Sequence, residues 1–116
     1  MQYMLLIYED ERNYGGPQKN GPGLQEMVAK HIAFAPTLGS ARQGGAGLKG
    51  TASATTVRAA NGSRTVHDGP FAETKEQLGG FYLVDVPDLD AAITIAKGLP
   101  LSSGGAVEIG PTLGPR

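Results

Sequence analysis

Between residues 3 and 8 the chain reads Tyr-Met-Leu-Leu-Ile-Tyr, with no polar position to interrupt it. At a strand period of two, Tyr3, Leu5 and Ile7 share one face and Met4, Leu6 and Tyr8 the other, so the pattern predicts a strand buried on both sides. A charged stop, Glu9-Asp10-Glu11, and a loop rich in Gly, Pro and Asn from Asn13 to Gly23 follow. The period then changes. Leu24, Met27, Val28, His31, Ala35 and Leu38 recur at helical spacing and predict a helix from Leu24 to about Leu38. Pro36 interrupts it: with no N–H for the Ile32 carbonyl, it predicts a kink or an early end near Ala35.

The segment "GGAGLKG" (44–50) reads as a loose or bulged edge strand. Thr55 to Ala60 and Arg64 to His67 flank Asn61-Gly62, the strongest short-range hairpin signal. After a polar loop, "GFYLVDV" alternates again, with Phe81, Leu83 and Asp85 on one side and Tyr82, Val84 and Val86 on the other. Pro87 closes that strand and Asp88 is placed to cap a second helix. The buried stripe expected for this helix is Leu89, Ala92, Ile93 and Ala96, and Gly98 with Pro100 ends it. Ala106 to Ile109 reads as a last short strand, and residues from about 111 to 116 as a loose tail.

The order strand, helix, strand, hairpin, strand, helix, strand predicts an α+β, ferredoxin-like βαββαβ domain with an inserted β-hairpin, one domain over residues 1–116. Two helices cover one sheet face only. Two strands apolar on both faces therefore call for a second cover, and a second copy of the sheet is the simplest, which predicts a homodimer.

Composition narrows the function classes. The 116 residues hold 10 Lys and Arg against 11 Asp and Glu, a formal net charge of -1. The basic residues are scattered, with no stripe of the kind a phosphate backbone needs, so nucleic acid is not an expected partner. There is no cysteine, which excludes disulfides, thiolate metal sites and Cys nucleophiles. No stretch approaches the roughly 18–20 apolar residues of a membrane span, and the first residues lack a basic n-region. A cytoplasmic protein away from membranes is the expectation.

The stretch "DGPFAETKEQLGGFYLVDVPDLDAAI" (68–93) resembles the signature of the DGPF-domain proteins within the YCII-related family. "YMLLIYED" and the "KHIAF" around His31 match the same pattern. The resemblance spans nearly the whole chain. It implies a ferredoxin-like domain paired as a dimeric α+β barrel, and it associates the chain with two ideas: a His/Asp acid–base site, and an accessory role beside extracytoplasmic-function sigma factors. Pro36 departs from the family pattern, in which a polar residue continues the helix.

His31 is the first candidate for chemistry. It lies on the apolar stripe between Val28 and Ala35, and an imidazole suits proton transfer at neutral pH. A core-edge histidine bonded to a backbone carbonyl is the plainer role for the same position. Asp68 is the second candidate. It is placed either to cap the Gly69-Pro70 turn or to orient His31 as carboxylates do in catalytic triads. His67, its neighbour, points the opposite way on an extended segment. Thr74 and Lys75 offer donors for substrate, or are simply solvated surface. Phe71 reads as a plug that seats the loop, and Tyr82 as a cavity wall with a hydroxyl. No Gly-rich nucleotide fingerprint, HExxH or nucleophile elbow occurs, and a metal would need a histidine plus carboxylates such as Glu9, so neither cofactor nor metal is expected. The chemistry expected is cofactor-independent acid–base catalysis on a small polar molecule in a cleft between the first helix and the sheet. The alternative is a non-catalytic ligand-binding or regulatory module.

Overall fold

A computed structural model describes residues 1–114 and places six strands and two α-helices along the chain. They are β1 (Gln2–Glu9), α1 (Leu24–Phe34), β2 (Arg42–Gly47), β3 (Thr55–Ala60), β4 (Ser63–Asp68), β5 (Gln77–Asp85), α2 (Leu89–Gly98) and β6 (Ala106–Pro111). Four strands form one antiparallel sheet in the order β2–β5–β1–β6, while β3 and β4 pair separately as a hairpin. This is the ferredoxin-like α+β arrangement, with the hairpin inserted between the second and third strands of the sheet.

The period-two pattern of β1 and β5 sorts their side chains between the two faces. Tyr3, Leu5 and Ile7 join Tyr82, Val84 and Val86 in the core, where Ala92 and Leu99 complete the cluster. Phe34, Leu38 and Ile95 pack against it. The opposite face carries Met4, Leu6, Phe81 and Leu83, all half-buried, and Leu78 at 39% exposure. Both helices pack on the first face, so the second is bounded by no helix.

Helix α1 ends at Phe34, and the chain tightens into a 3-10 stretch from Ala35 to Ala41. Pro36 explains the change, because it cannot supply the N–H that the next α-helical turn requires, whereas the first turn of the following helix does not use it. In α2, Asp88 caps as its residue type predicts, accepting from the Ala91 amide at 2.9 Å. Its inward face differs from expectation. Ala92 is fully buried in the core as expected, but the residues that pack there beside it are Ala91 and Ile95, and Leu89 is 49% exposed. The helix packs against β6, whose Val107 and Ile109 also pack against the core.

At the hairpin tip Asn61 and Gly62 both have positive φ, 48° and 81°, as a tight primed turn requires. Every residue of β3 and β4 except Thr56 is exposed. Past β6 the chain keeps to the sheet for one residue more: the Thr112 amide donates to the Gln2 carbonyl at 3.0 Å and its hydroxyl to Gln2 Oε1 at 2.8 Å. The expected loose tail therefore begins later than residue 111, and residues 115–116 lie outside the described residues.

Candidate functional site

Helix α1 has no buried residue. Its apolar stripe faces a cavity of about 810 Å³ between the helix and the β2–β5–β1 part of the sheet. Leu24, Met27, Val28 and Ile32 form the helical wall. Opposite them the sheet is stripped of side chains at Gly45, Gly47, Gly79 and Gly80, which leaves the space. One of these glycines is a bulge. Ile7 pairs with Gly80 but Tyr8 with Leu78, so Gly79 is the extra residue on β5. Bulges are frequent beside functional sites because they re-aim the strand.

His31 and Tyr82 meet in this cavity. His31 Nδ1 lies 2.9 Å from the Tyr82 hydroxyl, and the two rings stack at 5.8 Å between centroids with 27° between their planes. Phe34 meets Tyr82 edge-on at 6.0 Å, and the Arg42 guanidinium lies 5.8 Å from the tyrosine ring. The phenol is thus held on three sides. Burial pushes the His31 pKa down, with the Glu9 carboxylate and the Pro100 backbone carbonyl pulling partly the other way. Burial raises the Tyr82 pKa, with Arg42 opposing. At neutral pH the pair is therefore a neutral imidazole against a protonated phenol, a base and an acid in hydrogen-bond contact.

The other residues singled out in the sequence stand elsewhere. Asp68 is exposed at the end of β4, where it pairs with Thr55 across the hairpin, and it is not part of the cavity wall. Among the described residues it makes no hydrogen bond to His31. The turn behind it is well tied: the Gly69 amide donates to the Ala54 carbonyl at 2.8 Å and its carbonyl accepts from the Thr56 hydroxyl at 2.7 Å. Thr74 spends its hydroxyl on the Glu76 carbonyl. Lys75 is exposed, and its charge is felt at Asp10. Phe71 is 70% exposed with the Arg58 guanidinium 4.6 Å above its ring, so it does not plug the loop as expected.

Buried polar residues gather at one end of the sheet. Glu9 is buried, and its Oε2 accepts from the Tyr14 hydroxyl at 2.9 Å and the Ser102 amide at 2.6 Å. The Tyr14 pKa is raised to about 12, chiefly by burial. Glu11 is buried as well and accepts from the Thr51 amide at 2.7 Å and the Thr51 hydroxyl at 2.5 Å. Lys19, 9% exposed, reaches the cavity wall and donates to the Leu48 carbonyl at 3.1 Å. Its loop is aperiodic, so no hydropathy pattern could have singled it out. Among the described residues no three His, Asp or Glu side chains converge as a metal site would require, and no helix is long and apolar enough to cross a membrane.

Comparison with known proteins agrees with the architecture. An uncharacterized protein of Rhizobium meliloti (strain 1021) is 48% identical over 117 residues, an alignment that covers 96% of this chain and 91% of that one. The YCII-related domain matches residues 1–112, from the first residue of β1's approach to the last residue hydrogen-bonded along the sheet edge, and the chain belongs to the YCII-related family.

Proposed function

We propose that this protein is a cofactor-independent acid–base enzyme acting on a small polar molecule held between α1 and the sheet. The observation that carries the reading is the His31–Tyr82 contact at 2.9 Å inside the cavity. The neutral imidazole is a proton acceptor, and the phenol, kept protonated by burial, is a proton donor. Within the protomer Tyr82 takes the orienting place that the sequence offered to Asp68. Cytoplasmic location is part of the same reading.

A non-catalytic ligand-binding or regulatory module is the second reading, with an extracytoplasmic-function sigma factor as the partner that the DGPF-type motif brings to mind. The exposed position of Asp68, away from the cavity, favours it, since the hydrogen-bond partner of His31 is then a phenol and not a carboxylate. In either case we place the protein as a homodimer. Met4, Leu6, Phe81, Leu83 and Leu78 make an apolar face without a helix, and a second copy of the same sheet fits it as a dimeric α+β barrel.

A metabolite screen by thermal shift would find binders, because a ligand that binds only the folded state raises its apparent stability. Each binder is then incubated with the protein in heavy water and followed by mass spectrometry. Deuterium incorporation or conversion should fall at least about a hundredfold in His31→Gln and in Tyr82→Phe, the usual range for loss of general acid–base catalysis. Binders that stay chemically unchanged with the wild-type protein would reject the enzyme in favour of the binding module.

A further inference from the structure

The cavity wall holds three cations, Lys19, Arg42 and Lys49, and no carboxylate. Arg42 and Lys49 sit at its exposed rim, whereas Lys19 is 9% exposed. A buried ammonium has three protons to place; Lys19 places one on the neutral carbonyl of Leu48 and lies 5.8 Å from the centroid of the Tyr14 ring. Among the described residues no carboxylate lies within 4 Å of it; the ion pairs are those of the N-terminus with Asp85, Arg12 with Asp10 and Lys30 with Glu26. The Leu48 carbonyl is its one hydrogen-bond acceptor among the described residues, so the ammonium still has protons to give to an anion in the cavity.

The backbone is built to hold Lys19 there. Its φ is 50°, in the left-handed region that a side chain with a Cβ rarely adopts. Its amide donates to the Gly16 carbonyl at 2.9 Å, and the Gly21 amide closes the loop onto the Tyr14 carbonyl at 2.7 Å. The Ala52 amide clamps the Pro17 carbonyl at 3.0 Å, and Gly50 has no room for a side chain, because a Cβ would stand 1.9 Å from that carbonyl oxygen. At the bulge, a Cβ on Gly79 would stand in ordinary contact with both charges, 3.5 Å from Lys19 Nζ and 3.6 Å from Glu9 Oε1. Glu9 is the nearest candidate for a counter-charge, but its other oxygen is engaged by Tyr14 and Ser102.

We propose that the cavity takes an amphipathic organic acid, its carboxylate against Lys19 and its carbon body along the Leu24, Met27, Val28 and Ile32 wall of α1. This deepens the functional reading above and rests on the cavity being the ligand site. Arg42 and Lys49 at the rim draw the anion in, and Lys19 receives it where water is scarce and a charge-assisted bond counts most.

The test uses the full chain at fixed ionic strength and two matched series: phenylacetate, phenylacetamide and phenethylamine; octanoate, octanamide and octylamine. Calorimetry and amide shifts at Leu48 and Gly79 report affinity and place. Each acid should bind at least about tenfold more tightly than its amide, the factor expected for one charge-assisted hydrogen bond, and the amines should bind worst. Lys19→Met should bring the acid down to the affinity of the amide and leave the amide where it was. If that variant does not fold, the wild-type order of acid, amide and amine and the shifts beside Lys19 still decide. Equal affinity for acid and amide, or an acid preference that survives Lys19→Met, overturns the proposal and leaves the cavity as a ligand site. Failure of every acid and amide to bind overturns this proposal, while the metabolite screen decides the functional reading separately. Acids that bind with the predicted preference but are not converted sustain this inference and count against the enzyme.

Discussion

Acidification should destabilise this fold through His31, and replacing that residue should remove the effect. Burial holds the imidazole below its ordinary pKa of 6.5. The unfolded chain takes up this proton near its ordinary pKa, the folded chain only at lower pH. Between the two, the unfolded state binds more protons, so stability rises with pH. The contribution is complete above 6.5 and is lost as the pH falls through the folded-state pKa. His31 is only half-buried and the cavity is open on one side, so solvent screening keeps the loss well below that of a fully buried histidine. Urea unfolding of wild type and His31→Gln between about pH 5 and pH 8 isolates the contribution of His31 as the difference between the two stability curves. An NMR titration in a His67→Gln background, which leaves one imidazole signal, supplies the folded-state value directly. Glu9→Gln should depress that value further, because the Glu9 charge supports the imidazolium. A titration at or above the ordinary value, with stability curves for wild type and His31→Gln that run parallel, would refute the reasoning.

Two further outcomes follow from packing. Gly50→Ala keeps an allowed backbone, φ −63° and ψ 161°, yet places a Cβ 1.9 Å from the Pro17 carbonyl oxygen; it should cost about 1–3 kcal/mol in urea unfolding by overpacking, and unchanged stability would mean that the Pro17–Lys19 loop is free to move. Light scattering at micromolar concentration should give twice the mass of the 116-residue chain, whereas a clean monomer would reject pairing through the Met4, Leu6 and Phe81 face.

The strands, the capped second helix and the Asn61-Gly62 hairpin were legible in the sequence because each rests on a local rule. Alternation set the faces of Tyr3 to Tyr8 and of Phe81 to Val86, a carboxylate at Asp88 set the start of α2, and Pro36 set the end of α1. The inward phase of His31 came from the same helical period. What pairs with it did not. Asp68 is adjacent to a turn motif and Tyr82 lies mid-strand, and only the docking of α1 across β5 brings the tyrosine to 2.9 Å from the imidazole while the hairpin keeps Asp68 on the surface. Lys19 shows the same limit more sharply. In the sequence it is one basic residue in a Gly- and Pro-rich loop, where surface exposure is the ordinary outcome. Its burial depends on three separated pieces of chain: the closed loop from Tyr14 to Gly21, the Leu48 carbonyl with the bare Gly50 beside it, and the bulge at Gly79. Local pattern carries information about which face a side chain takes within its own element. Which charges lie side by side, and which of them water cannot reach, depends on contacts between segments far apart in the chain, and those exist only once the sheet has assembled.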